Sequence, residues 1–146
     1  MPMISEMFQS GAMPVLERLA QFTGARHAVI ADNIANLSTP YFRPKDLSVE
    51  KFQRQLRKAV DARRATATPT AGALNLSDTR EFRFEEDRLD ATPETLDENI
   101  LFHDRNNRDL ERIMQDLAEN TLAHNATMEL LKNELDLLKT AIREQL

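Results

Sequence analysis

Residues 106–145 read NNRDLERIMQDLAENTLAHNATMELLKNELDLLKTAIREQ, and their apolar spacing decides the fold class. Leu110, Leu117, His124, Leu131 and Leu138 fall seven apart, and Met114, Thr121, Met128, Leu135 and Ile142 follow four residues on. Alternating four-and-three spacing keeps one stripe in line along a slightly under-wound helix, which is the pattern of a coiled-coil seam. Asp109 and Glu111 would lie in the first turn, where a negative charge suits the helix dipole. Some 40 residues make about 60 Å of helix, several times the length of an average globular helix. A stripe that long needs another element to cover it, which points to assembly rather than catalysis.

A second long helix is expected over residues 14–37. Pro14 suits its first turn, and Thr39-Pro40 ends the segment because the residue before proline is pushed out of the α region. Leu16, Ala20, Thr23, His27, Ile30, Ile34 and Leu37 trace one stripe on it. Val15, Phe22 and Val29 trace another beside it, a face wide enough for more than one neighbour. Between the two long helices the spacing predicts a shorter one near 47–63, with Val49, Phe52, Leu56, Ala59 and Val60 on one face. Its other face, Lys51, Arg54, Arg57, Lys58 and Arg63, is basic. Residues 65–74 are rich in Ala, Thr, Pro and Gly and read as loop. Leu74-Asn75-Leu76 and Phe82-Arg83-Phe84 alternate as short strands do, while the acidic stretch 85–98 reads as irregular. The expected fold is therefore all-α dominated. Amphipathic N- and C-terminal helices pair as an antiparallel coiled coil, with a shorter middle helix and a poorly ordered, at most short-stranded, middle region. Three segments follow: 1–39, 40–105 and 106–146. Leu16, Ile30, Ile34, Leu117, His124, Leu131, Leu135, Leu138 and Ile142 are the expected seam.

Composition narrows the function. With 7 Phe, 1 Tyr and no Trp in 146 residues, bulky core filler is scarce, and 3 Gly leave no phosphate-cradling loop. A net charge of −5 opposes general nucleic-acid binding, which rests on phosphate neutralisation. The basic face of the middle helix has no interleaved aromatic for base stacking and reads as a solvated face or a contact with an acidic neighbour. There is no cysteine, no bilayer-spanning apolar run, and no basic and apolar leader at Met1–Glu6. Of three histidines, His27 and His124 lie on the expected seams and could face one another. Two nitrogens fall short of a zinc site, so both are read as polar residues that help fix register, as buried Asn does in coiled coils. His103 has no evident partner. The carboxylates from Glu85 to Glu98 lack the apolar framework that would raise a pKa or fix a distance, so no enzyme and no cofactor are expected. An unrecognised carboxylate site would require an ordered pocket within 65–100.

Two polar clusters are more specific. Asn33-Ile34-Ala35-Asn36-Leu37-Ser38-Thr39-Pro40-Tyr41 closes the first helix, and Asp104-Arg105-Asn106-Asn107-Arg108-Asp109-Leu110-Glu111 opens the last. The first resembles the N-I-A-N-x-x-T-P-G-Y signature shared by bacterial flagellar rod and hook proteins. The second resembles the D-G-N-x-V-D-x-E element that opens the C-terminal helix in that family. Asn120-Thr121-Leu122-Ala123-His124 is similar to the N-x-L-x-Y stretch of the proximal rod type, and Leu74–Arg80 is loosely similar to that type's L-x-x-T-x-x-H stretch. The resemblance covers both ends and their order. It departs where the glycine after Thr39-Pro40 is missing, at Arg105 and Arg108, and at His124 in place of an aromatic.

The resemblance implies a non-enzymatic subunit of the basal-body rod that polymerises through its terminal helices. Its implied partners are other rod subunits, further copies of itself, the adapter at the membrane ring and the flagellar type III export apparatus. No nucleic-acid partner and no membrane span are implied. The implied destination is the periplasmic rod, reached without a cleaved signal. Asn33, Ile34, Ala35, Asn36, Thr39, Pro40, Tyr41, Asp104, Asn106, Asn107, Asp109, Leu110 and Glu111 carry the motif. The second stripe of the N-terminal helix is the expected drive to associate, and both chain ends, before Ala12 and past Leu138, are expected to fray in isolation. The rival reading is a helical adapter or export chaperone that does not polymerise.

Overall fold

The computed structural model describes residues 9–96 and 107–144. Helix α1 (Met13–Ala35) starts with Pro14 in its first turn, where a missing N–H costs nothing. It ends two residues earlier than the apolar stripe suggests. The Asn36 side chain donates to the Asp32 carbonyl at 2.9 Å and so takes a backbone acceptor freed at the terminus. Helix α2 (Val49–Arg64) is capped by Ser48, whose hydroxyl accepts from the Lys51 N–H at 3.2 Å. Glu50 in its first turn and Arg63 and Arg64 in its last suit the dipole. Helix α3 (Asn107–Glu144) runs 38 residues, about 57 Å at 1.5 Å per residue.

The middle region is organised by phenylalanine. Strands β2 (Phe82–Phe84) and β3 (Leu89–Ala91) form an antiparallel hairpin in which Phe84 faces Leu89. Phe22 of α1 stacks on Phe52 of α2 with ring centroids 4.1 Å apart, and Phe82 meets both edge-on at 5.9 and 5.8 Å. Each such pair contributes about 0.5–1.5 kcal/mol beyond its buried area. Leu47 and Leu89 complete this buried cluster, with Leu19, Ala25, Val29, Leu56 and Phe84 packed around it. A second small sheet joins β1 (Lys45–Asp46) to β4 (Glu94–Thr95), so two strands lie within the acidic stretch expected to be irregular. Leu74-Asn75-Leu76 forms no strand, although Leu74 is buried.

Helix α1 therefore lies between two layers. One face packs on the phenylalanine body, and the other packs on α3. The second stripe, read as a face awaiting a neighbour, is the one the chain's own middle region covers. Phe22 on that stripe is 3 % exposed. Helices α1 and α3 run antiparallel, with Arg26 near Asp116 and Thr23 opposite Asn120 and His124.

One of the two seam columns is shifted by one residue on each helix; the other lies where expected, with Leu16 buried and Leu135 half-buried. On α3 the column Leu117, His124, Leu131 and Leu138 is half-buried as expected, but its companion is Ile113, Asn120 and Thr127 rather than Met114, Thr121 and Met128. Met114, Met128 and Ile142 are 46, 45 and 48 % exposed, and Leu110 is exposed too. On α1 the inward positions are Thr23, Arg26, Ile30 and Asn33, while His27 points to solvent and Ile34 is half-buried. His27 and His124 therefore do not face each other. The physical reason is that buried polar side chains with partners occupy the seam, and apolar periodicity is blind to them. Ile142 fails as a seam residue for a second reason. With Thr23 opposite Asn120–His124, α1 begins before the last turns of α3 are reached.

Candidate assembly surface

The contact between α1 and α3 is polar at its centre. Asn120, 3 % exposed, donates from Nδ2 to the Thr23 carbonyl at 2.9 Å. His124 Nδ1 lies 2.8 Å from the Thr23 hydroxyl, which also lies 2.9 Å from the Leu19 carbonyl. The donor and acceptor roles of this pair follow the imidazole tautomer. One residue of α1 thus holds two residues of α3 spaced by four, and only one register of the helix pair satisfies both.

One turn along, Arg26 is buried and donates through Nε and Nη2 to Asp46 at 3.0 and 2.8 Å, a bidentate pair. Asp46 Oδ1 also accepts the Leu47 N–H at 2.8 Å. Asp116 of α3 approaches the same guanidinium at 3.7 Å. Burial pushes the Asp116 carboxyl above its ordinary range, with Arg26 pulling the other way and Asp46 adding to the rise. Between these groups and Ile30, Asn33 and Ile113 is a cavity of about 20 Å³, the size of a single water.

The motif loop follows from side chains standing in for backbone. Asn33 is buried, its Nδ2 donates to the Lys45 carbonyl at 2.6 Å, and its Oδ1 accepts the Lys45 N–H at 3.0 Å. It acts as a strand neighbour to β1 from the flank of a helix. Asn36 caps α1 and accepts the Thr39 hydroxyl at 3.2 Å. Ile34 and Ala35 belong to the last turn of α1, and Pro40 is exposed. Tyr41 has φ 62 and is fully exposed. This is the left-handed region that favours glycine. Asp104 and Asn106 lie outside the described residues, as does His103. Asn107 and Asp109 belong to the first turn of α3, and Leu110 and Glu111 are exposed on it.

Three contacts were not legible beforehand. Arg18 donates to the Arg88, Glu85 and Glu86 carbonyls at 3.2, 2.6 and 3.2 Å and holds the hairpin turn against α1. Gln21 adds a bond to the Asp87 carbonyl at 3.0 Å. Glu81 is buried, accepts the Ser48 N–H at 2.6 Å and lies 3.2 Å from the Lys51 ammonium. Part of the basic face of α2 is thus engaged within the molecule: Lys51 also reaches Glu94, Arg54 pairs with Glu50, and Arg63 donates to the Gly11 carbonyl.

Among the described residues, most exposed large apolar side chains lie on α3. Met114, Met128 and Ile142 stand in one column flanking the seam, and Leu130 and Leu137 stand exposed on its other side. Among the described residues no three or more His, Asp or Glu side chains gather as a metal site, and no helix is long and apolar enough to cross a membrane. No family model, curated protein or solved structure matches the chain.

Proposed function

We propose that this chain is a structural subunit of the bacterial flagellar basal-body rod, of the proximal type. It polymerises through its terminal helices into the shaft between the membrane ring and the hook. The observation that carries the reading is the set of half-exposed apolar side chains Met114, Met128 and Ile142 on α3, in a column beside the seam. Burying apolar area contributes about 25 cal/mol per Å², so such a column favours association. Contacts of that kind between unlike faces build open filaments when the rotation does not close. The Asn33–Tyr41 turn supports the reading through its likeness to the rod signature. The partners in this reading are other rod subunits, further copies of the chain, the ring adapter and the type III export apparatus, and the location is the periplasmic rod.

A second reading, a discrete helical adapter or export chaperone, is favoured by one observation: α1 has both faces covered within the molecule. Light scattering at rising concentration separates the two. Mass should grow without limit for a rod subunit, and replacing Met114, Met128 and Ile142 together by Gln should abolish the growth while leaving the helical circular dichroism intact. A fixed dimer or small bundle at all concentrations would favour the adapter.

A further inference from the structure

We propose that Tyr41 is the anchor by which one copy docks on another, its ring seated on the α3 of the next copy between Met114 and Met128. The inference deepens the assembly reading above and rests on it. Three observations carry it. First, Tyr41 has φ 62, a conformation disfavoured for any residue with a Cβ, and its ring is fully exposed, so no contact within the copy offsets the strain. Strained residues persist where their surroundings fix them, and they gather at binding sites. Here the surroundings do fix it. Thr39 donates its N–H to the Asn36 carbonyl at 2.9 Å and its hydroxyl to Asn36 Oδ1 at 3.2 Å, and the Phe42 N–H donates to the Thr39 carbonyl at 3.3 Å. Beyond the turn, Asn33 holds both backbone groups of Lys45. The turn is set before a partner arrives, which lowers the ordering cost of docking. Leu37 and Pro40, both exposed, share the turn with the ring.

Second, α3 offers a seat of matching chemistry. Met114 and Met128 are 46 and 45 % exposed and lie about 21 Å apart along the helix. Between them on that face fall Ala118, Thr121 and Asn125, at alternating spacings of four and three. Two long thioethers therefore border a strip of smaller side chains. Methionine sulfur packs favourably against aromatic rings, and tyrosine is among the commonest anchors of protein interfaces. Third, charge selects the occupant. From Leu110 to Leu130, α3 carries Glu111, Asp116, Glu119 and Glu129 against Arg112 alone, and Glu111, Glu119 and Glu129 are exposed. Residues 37–45 carry Arg43 and Lys45, both exposed, and no carboxylate. A basic turn and an acidic helix are complementary, which favours this partner and this orientation. A fully exposed ring does not lie on its own α3, so the contact runs between copies. Anchor and seat are unlike surfaces present on every copy, which makes the contact head-to-tail.

The test separates anchor from seat. Tyr41→Gly keeps the seat and leaves the chain without tyrosine or tryptophan, so its emission is nearly dark. Met114→Gln with Met128→Gln keeps the anchor and the single tyrosine. Each variant alone should raise the concentration at which light scattering begins to grow by at least about tenfold, with its helical circular dichroism retained. Mixed, the two should form a one-to-one heterodimer that grows no further, and the tyrosine emission should shift as the dark variant is added. A dark variant that also carries both glutamines should cause no shift. If the parent grows, Tyr41→Gly grows equally and the mixture gives no shift, the anchor is wrong and the assembly reading stands on other contacts. If the parent stays small and the mixture gives no shift, both fail.

Discussion

Tyr41 holds a glycine conformation with a fully exposed ring, so nothing it touches offsets the crowding of its Cβ. A non-glycine residue in the left-handed region costs about 1–2 kcal/mol. Tyr41→Gly should therefore stabilise the isolated subunit by up to about 1 kcal/mol in urea unfolding, after the added freedom of glycine in the unfolded chain is counted. No change, or a loss, would mean that the ring is held by a neighbour. Asp116 makes a prediction in pH. Its carboxyl is raised above the ordinary 3.8 first by burial, so the folded state binds a proton there more readily than the unfolded one. The contribution of this group is full below pH 3.8 and is lost as pH rises through the raised value. Asp116→Asn should flatten the stability profile above pH 4 without lowering stability at pH 7. A variant as pH-dependent as the parent would contradict this. At this scale the sequence misled by one position. Arg26, Asn33, Asn120 and Thr127 are buried because each finds a partner, and a hydropathy pattern counts them as solvent-facing.

The elements were more legible than the residues. Both long helices and the middle one follow from spacing, caps and the Thr39-Pro40 stop. The Asn33–Thr39 cluster was visible as a helix terminus, although the pairing of Asn33 with the Lys45 backbone was not. The hairpin was half legible: Phe82–Phe84 alternates, but its partner Leu89–Ala91 lies in a run of charges. The phenylalanines that join the body come from α1, α2 and β2, at positions 22, 52 and 82, and no local pattern links residues so far apart. The clamp on that hairpin can be tested alone. Arg18→Ala removes a cation from three turn carbonyls at a partly exposed site and should cost about 1–2 kcal/mol. Faster amide exchange at Glu85 should accompany it, and unchanged exchange there would show the turn to be held by its own Arg88 contact.

At the scale of the whole molecule, the structure moves the uncovered apolar surface from the N-terminal helix to the C-terminal one. In the proposed assembly the drive to associate would lie along α3, whose side chains from Lys139 to Glu144 are exposed. In dilute subunit, amides in these last turns should exchange rapidly, and they should slow severalfold on assembly. Slow exchange there in dilute protein would mean that the helix end is sheltered within one copy.

The lone tyrosine has a practical consequence. The chain has no tryptophan and its single Tyr41 sits bare at the tip of the motif turn, while the packed phenylalanines emit only faintly. Ultraviolet emission from unlabelled protein thus reads one loop and nothing else. The subunit carries a native optical beacon at the spot where a docking neighbour would dim or shift it.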